Sequence, residues 1–132
     1  MDPIITHLGI NRQLVGVPQS YSAGHATICL TTTPEMAADA RGLVHGGFTF
    51  GLADYAAMVA VNDPNVVLGA ASTRFLGPVQ LGETLRAEAQ VLSTEGKKRM
   101  VKVEVFTQTK VMEGEFTCFV LPTHVLDMPR RG

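Results

Sequence analysis

The chain has no tryptophan, only two cysteines and almost no excess of either charge. Its 11 lysines and arginines stand against 12 aspartates and glutamates, which leaves a formal net charge of -1. Without a basic field, the composition gives no support to a nucleic-acid partner or an anionic membrane surface. Cys29 and Cys118 lie in apolar, strand-like runs without a CxxC pair or a neighbouring histidine. We therefore expect small buried cysteines in a reducing compartment, and no metal site.

No segment has the pattern of a secretory signal or a membrane span. The first residues, MDPIITHLGI, carry an early aspartate and no basic region ahead of an apolar core. Residues 42–62 are long enough to cross a bilayer, but they hold four glycines, a histidine and an aspartate. We therefore expect a cytoplasmic protein, and its 132 residues suffice for one domain with its own core.

Alternation with a period of two predicts a series of half-buried β-strands. In the range 83–93, Leu85, Ala87 and Ala89 share one face while charged residues share the other. The same pattern, or a run rich in aromatic and β-branched residues, covers 25–33, 66–79, 99–110 and 115–126. Residues 94–97, with Gly96 free to take positive φ, predict a hairpin turn, and we expect a second turn near 112–114.

Residues 46–62 differ from these ranges because they are too long for a strand and rich in alanine, leucine and methionine. Their apolar residues surround the whole helix axis, which is typical of a helix buried on all sides. The order is thus a strand, a long buried helix and then four strands joined by short turns. An antiparallel sheet curled around one central helix, an α+β fold, satisfies this order.

A glycine pair stands where this helix should begin. Gly46 and Gly47 lack a Cβ, so a ligand can approach their main chain closely. Backbone amides at a helix start have no acceptor within the helix and can hold an anion or a developing oxyanion. A tight turn alone would account for the same two residues.

Asp54 is the only carboxylate in the most apolar stretch of the sequence. Either a neighbouring strand or subunit satisfies it, or it serves as a general base or nucleophile in an apolar site. Seven residues of helix separate it from Gly47, about 10 Å at the usual rise. One substrate carbonyl cannot contact both groups in one chain. A catalytic pair would therefore need a second subunit whose helix runs antiparallel, and hence an obligate dimer.

The other polar candidates allow both structural and functional interpretations. His45 suits a helix start or a loop contact as well as it suits a base. His7, His25 and His124 have no companions that suggest catalysis or metal binding. The basic run of Lys97, Lys98 and Arg99 at the predicted hairpin is typical of a solvated turn, although it could meet ligand phosphates.

Two stretches together resemble a known family. HGGFTFGLADYA matches the H-G-G-x(6)-D/E motif of hotdog-fold acyl-CoA thioesterases, in the phenylacetic-acid-degradation (PaaI-type) branch, and STRFLGPVQLGETLRAEAQV resembles the strand that follows in that family. The likeness covers about 25–125. It implies a single hotdog domain over 1–132, with an extension at 1–24, a core at 25–126 and a five- to six-stranded antiparallel sheet wrapped around one long helix.

The resemblance also implies roles for individual residues. Asp54 would activate water or attack the thioester carbon, the amides of Gly46 and Gly47 would form the oxyanion hole, and His45 would steady the loop. Asp39 stands where relatives often carry asparagine, and Ser72 or Thr73 would replace a hydroxyl that relatives offer on the second strand. The remaining implied contacts are an acyl slot and a phosphate-facing run: Phe48, Phe50, Tyr55, Met58, Lys97, Lys98 and Arg99.

The activity implied is hydrolysis of an acyl-CoA or other thioester by a homo-oligomer, a dimer or a tetramer. CoA would enter only as part of the substrate, with no separate cofactor. One alternative is a non-catalytic acyl-CoA sensor, like the hotdog domain of a fatty-acid-synthesis repressor. Such sensors tend to lack the acidic residue and to carry a DNA-binding segment in front, for which 1–24 is too short. A dehydratase arranges its histidine and acid differently, and a purely structural dimer remains the third alternative.

Overall fold

Two helices and six β-strands make up the computed structural model, which describes residues 3–130. The elements in chain order are α1 (Arg12–Val15), β1 (Val17–Ser22), β2 (His25–Thr31), α2 (Gly46–Val61), β3 (Val66–Phe75), β4 (Thr84–Glu95), β5 (Lys98–Phe106) and β6 (Lys110–Val120). Short 3-10 turns lie at Pro34–Met36 and Val125–Asp127. The strands form one antiparallel sheet in the order β1-β2-β4-β5-β6-β3, which confirms the predicted α+β architecture.

The central helix α2 packs against the inner face of the sheet, mainly on β2, β4 and β5. Alternation sets this face: Leu85, Ala87 and Ala89 of β4 are buried, while the residues between them are exposed. The β4–β5 hairpin lies where the sequence predicts it, with Gly96 at φ 58°. Burial of the apolar faces of helix and sheet against each other is the main stabilising contribution.

The predicted turn at 112–114 is wrong, because these residues lie inside β6. The chain turns at 107–109, where the amide of Thr107 donates to the carbonyl of Thr109 at 3.0 Å. Gly114 suggested a turn, but it is a strand glycine opposite Thr73 of β3. A Cβ on Gly114 would lie 2.6 Å from the carbonyl oxygen of Ser72, so the close approach of β3 requires glycine there.

The sheet also begins earlier than the predicted core boundary at residue 25. Strand β1, inside the range 1–24 interpreted as an extension, pairs with β2 and forms one edge of the sheet. It is short, mostly exposed and contains Pro18 beside a register shift. Such an edge strand buries no regular apolar face, so periodicity did not indicate it.

Asn62 ends α2 and also binds the N-terminal segment. It adopts the left-handed conformation at the helix C-cap, and its amide donates to the carbonyl of Met58 at 2.8 Å. Its side-chain Oδ1 accepts from the amide of Ile5 at 2.9 Å, and its Nδ2 donates to the carbonyl of Pro3 at 3.0 Å. These two bonds, called here the Asn62 clamp, hold the first described residues across the end of the central helix.

None of the helices between residues 3 and 130 is long and apolar enough to cross a membrane. Both cysteines are free: Cys118 is buried as expected, whereas Cys29 is only half-buried on β2. Within the same described range, no group of three or more histidine, cysteine, aspartate or glutamate side chains is placed to hold a metal ion.

Candidate active site

The first turn of α2 presents the glycine pair. His45 is the N-cap residue, and its amide donates to the carbonyl of Met36 at 2.9 Å. Its imidazole makes no capping hydrogen bond and lies edge-on to Phe48, with ring centroids 6.3 Å apart. The main chain of His45, rather than its ring, thus joins the helix start to the preceding loop. The amides of Gly46 and Gly47 lie in the first turn, where a helix offers them no acceptor.

Each of the two glycines has one aromatic ring beside it. A Cβ on Gly46 would lie 3.5 Å from the ring of Phe75, at the end of β3. A Cβ on Gly47 would lie 3.0 Å from the ring of His45. The absence of a side chain at Gly47 therefore leaves room for the imidazole of His45.

Asp54 lies on a different part of α2, half-buried in an open pocket of about 460 Å³. In residues 3–130, no hydrogen-bond or ion-pair partner of its carboxylate is found. Burial raises the pKa of Asp54 above its ordinary value. Burial, followed by the nearby charge of Asp54, raises the pKa of Cys118 to about 12, so this thiol stays neutral beside the carboxylate.

Three segments of the chain enclose the Asp54 pocket. They are residues 6–8 from the N-terminal segment, residues 64–68 at the start of β3, and His124 and Val125 near the C-terminal end. Burial of part of the ring lowers the pKa of His7, so its imidazole is neutral at pH 7. His124 uses its Nδ1 to accept from the amide of Leu126 at 3.1 Å. Sequence reasoning missed both histidines, because no local pattern shows that distant segments meet at Asp54.

The two halves of the predicted site do not meet within one chain. Neither glycine lines the Asp54 pocket, and seven helical residues keep Gly47 about 10 Å from Asp54 along the axis. Strand β3 links the two halves. Its first residues line the Asp54 pocket, and Phe75, its last residue, covers Gly46.

The aromatic and sulphur-containing residues predicted to form an acyl slot divide into two groups. Phe48 and Phe50 are half-buried, and the ring of Phe50 packs 5.5 Å from that of Phe116. Tyr55 and Met58 are 2% and 0% exposed, so they fill the core of the chain itself and line no open slot. Apolar residues all around a buried helix do not indicate which of its sides keeps an opening.

Asp39 and the β3 hydroxyls lie outside the Asp54 pocket. The exposed carboxylate of Asp39 accepts from the amides of Arg41 and Leu43 at 2.9 and 3.1 Å, which shapes its own loop. Ser72 is exposed and Thr73 half-buried on the edge strand β3. In this chain their contacts are thus with the loop and the sheet edge, not with the carboxylate of Asp54.

The basic run lies at the same end of the sheet as the Asp54 pocket. The amide of Val120 donates to the carbonyl of Lys97 at 2.8 Å, and Val120 pairs with Val66, which lines the pocket. Two strand spacings thus separate Lys97 from β3, roughly 10 Å. Lys98 is exposed, while Arg99 donates to the carbonyl of Gly96 at 2.7 Å and stabilises the hairpin.

Comparison with solved structures shows the same fold. An uncharacterised protein from Pyrococcus horikoshii has a TM-score of 0.94 and 51% identity, and the match covers 96% of this chain and 98% of that one. The PaaI protein from the phenylacetic acid degradation operon of E. coli has a TM-score of 0.71 and 29% identity, covering 77% and 80%. A hypothetical thioesterase protein with coenzyme A from Streptococcus pneumoniae, at 19% identity and TM-score 0.74 over 82% and 87%, shares the fold.

Curated relatives match this chain over only part of their length. A protein named methylthioribose-1-phosphate isomerase from Aquifex aeolicus is 51% identical over 130 residues, which are 98% of this chain but 28% of that protein. The transcription factor FapR of Staphylococcus aureus is 30% identical over 79 residues, 59% of this chain and 43% of FapR. The activities in these names describe whole proteins of which this chain spans less than half.

A family model settles the relationship. The model of the Thioesterase superfamily matches residues 41–113, from the loop before α2 into β6, which is more than half of the chain. This range holds the glycine pair, Asp54 and β3, and the sheet-around-helix architecture agrees with the solved relatives. The chain therefore belongs to the Thioesterase superfamily and has its hotdog fold.

Proposed function

We propose that this protein hydrolyses an acyl-CoA thioester to a free acid and CoA, with Asp54 as the reactive carboxylate. The observation that carries the proposal is the half-buried carboxylate of Asp54, without a partner in residues 3–130, in an open pocket of about 460 Å³. An unpaired carboxylate removed from water raises the free energy of the fold and is rarely kept without a role. Its raised pKa suits a general base, because a stronger base accepts a proton more readily.

The edge strand β3 supplies the geometry for a twofold site. Within residues 3–130 it pairs only with β6, and its ten residues leave Ala70, Ala71 and Ser72 exposed. The other edge, β1, is shorter and contains Pro18. Two copies of β3 related by a twofold axis would run antiparallel, so the start of one strand would face the end of the other. Such a dimer would bring the Asp54 pocket of one subunit beside the glycine pair of the second.

The reaction then needs only these groups. Asp54 takes a proton from water as the water oxygen bonds to the thioester carbon, and the amides of Gly46 and Gly47 from the second subunit stabilise the oxyanion. The carbon–sulphur bond breaks, and the CoA thiolate leaves with the proton returned from Asp54. Alternatively, the carboxylate itself attacks the carbon and the CoA thiolate leaves; water then cleaves the resulting anhydride, which returns the Asp54 carboxylate, releases the free acid and supplies the proton that the thiolate takes up.

The surroundings of the pocket support an acyl-CoA as the substrate. Lys97 and Lys98 lie exposed at the same end of the sheet, within reach of the phosphates of a CoA molecule whose thioester lies at Asp54. The coenzyme A in the streptococcal thioesterase-like structure supports this choice of carrier. The tetramer and the cytoplasmic location implied by the sequence stay predictions.

Hydrolysis of a panel of acyl-CoA thioesters by the wild-type protein tests the proposal. Release of free CoA, followed with a thiol reagent, should require protein and saturate with substrate for at least one aliphatic or aromatic acyl group. Absence of turnover across aliphatic, hydroxylated and aromatic acyl groups would remove the enzymatic assignment.

The competing candidate is an acyl-CoA sensor, and the match to a transcription factor, FapR, supports a regulatory rather than a catalytic role. A sensor would bind acyl-CoA tightly without releasing CoA. We give it second place because Asp54 supplies the carboxylate that hydrolysis needs. Isothermal titration with an acyl-CoA, run beside the turnover assay, separates the two candidates.

Removal of one oxyanion donor should slow the reaction without disturbing the fold. Gly46 is the first helical residue, a position that accepts proline, and His45 has the extended conformation that proline requires before it. Gly46→Pro is therefore expected to fold, to lose one amide donor and to lower kcat about 10²–10³-fold. Steady-state kinetics and a thermal melt check both parts.

The matched control is Gly46→Ala, which keeps the amide and adds a Cβ at an ordinary 3.5 Å from Phe75. The alanine variant should be much faster than the proline variant. Equal rates for the two variants would mean that the Gly46 amide does not act on the oxyanion.

A further inference from the structure

We infer that His7 is a substrate-contacting residue of the Asp54 site, and that residues 3–8 serve to hold its imidazole there. The inference deepens the proposed function, on which it rests, by adding a residue to the same pocket. His7 and Asp54 line this pocket together, although they come from distant parts of the sequence.

The position of His7 is fixed by contacts on the main chain of the residues just before it. It has φ 53°, in the left-handed region that residues other than glycine seldom adopt. The Asn62 clamp binds Pro3 and Ile5 just before it, so the segment cannot relax away from the end of α2. An unusual backbone held by specific hydrogen bonds is a feature found more often at functional sites than elsewhere.

Contacts also orient the imidazole of His7, and they use only one of its two ring nitrogens. Nδ1 lies 2.7 Å from Oγ1 of Thr6, a residue that is only 2% exposed. The ring lies tilted against Tyr55, the neighbour of Asp54 on α2, with centroids 6.3 Å apart. Within residues 3–130, Nε2 has no hydrogen-bond partner. A buried hydroxyl thus holds one side of the imidazole, and because His7 as a whole is exposed, its other ring nitrogen is open to solvent or to a ligand that enters the pocket.

The chemistry of the pocket favours contact with the substrate over an ion pair with Asp54. Burial lowers the pKa of His7, so the ring is neutral at pH 7, and burial alone raises the pKa of Asp54. A positively charged imidazole in contact would have lowered the pKa of the carboxylate instead. The neutral ring is suited to a hydrogen bond with the thioester or with the attacking water.

The first test compares four variants in the acyl-CoA assay. His7→Ala should lower kcat about 10–100-fold, as loss of a positioned hydrogen-bonding group does. His7→Gln, which keeps a donor and an acceptor, should recover part of this loss, and Thr6→Val should lower kcat less than His7→Ala does. His25→Ala is the matched control, since His25 is an exposed histidine at the start of β2, outside the pocket.

The second test detects contact between His7 and a bound ligand that the protein cannot hydrolyse. The imidazole signals of the wild-type protein are followed by NMR while an S-alkyl CoA thioether, which cannot be hydrolysed, is added. The His7 signal should shift on binding, and the His25 signal should not. His124, which also lines the pocket, provides an internal comparison.

The outcomes separate this inference from the proposed function. If the wild type cleaves thioesters while His7→Ala keeps its kcat and KM, the role of His7 is overturned and the function stands. If no thioester is cleaved but the His7 signal shifts with the thioether, the ligand contact stands and hydrolysis falls. An unchanged His7 signal in a protein saturated with thioether overturns the inference in either case.

Discussion

Asp54→Asn is expected to lower kcat for thioester hydrolysis about 10²–10⁴-fold, the range associated with loss of a general base. Asparagine has nearly the same shape but cannot take a proton from water or attack a carbonyl carbon. Steady-state release of CoA measures the effect. A variant that keeps the wild-type rate would exclude Asp54 from the chemistry.

The same substitution should also change the stability of the fold, by an amount that depends on pH. Because burial raises the pKa of Asp54 in the fold, ionisation of this group destabilises the native state relative to the unfolded chain. Its favourable contribution is complete below the ordinary aspartate pKa and is lost as the pH rises through the raised native value. Asp54→Asn should therefore be at least as stable as wild type at pH 7, and thermal melts should show that advantage shrink as the pH falls.

The matched control is Asp63→Asn, two residues beyond the end of the helix. The Oδ1 atom of Asp63 accepts from the amide of Asn65 at 2.8 Å, and asparagine keeps that acceptor. Loss of a carboxylate there should leave kcat unchanged. The acid limb of the wild-type kcat profile should also lie above the ordinary aspartate range, since hydrolysis needs the ionised form of Asp54.

Two inactive variants, Asp54→Asn and Gly46→Pro, are expected to restore activity when they share a dimer. In a hybrid, the intact Asp54 of one subunit faces the intact glycine pair of the other. One of the two sites in each hybrid dimer is therefore complete. Random association makes half of the dimers hybrids, so the mixture should reach about a quarter of wild-type activity per subunit. Co-expression with two different affinity tags allows the hybrid to be isolated and assayed.

This mixing result distinguishes a shared site from a site within one chain. If each chain carried its own complete site, every subunit in the mixture would be defective and no activity would return. Each variant dimerised with itself is the control and should stay inactive. Size-exclusion chromatography with light scattering would show whether the wild type is a dimer or a larger assembly at the assay concentration.

The elements that obey simple periodicity are predictable from the sequence. Strand β4 alternates Leu85, Ala87 and Ala89 with charged residues, and Gly96 marks the hairpin, so both follow from local rules. The distance of about 10 Å between Gly47 and Asp54 also follows from helix geometry, because seven helical residues separate them. Local patterns failed for β1, an edge strand with no apolar face, and at Gly114, where glycine serves a close strand approach rather than a turn.

The candidate site is predictable only where it is local. The glycine pair and Asp54 lie on one helix, so sequence spacing fixes their relation. The walls of the pocket come from residues 6–8, 64–68 and the region of His124, and only tertiary structure brings these together. The side chain of Asn62 holds the N-terminal segment. The sequence does not indicate this role, because an asparagine after a helix usually marks only the end of that helix.

Segments from near both ends of this sequence border the same opening, at residues 6–8 and at His124. Because neither segment belongs to the sheet, local unfolding of either one would remove part of the pocket wall without breaking a strand pairing.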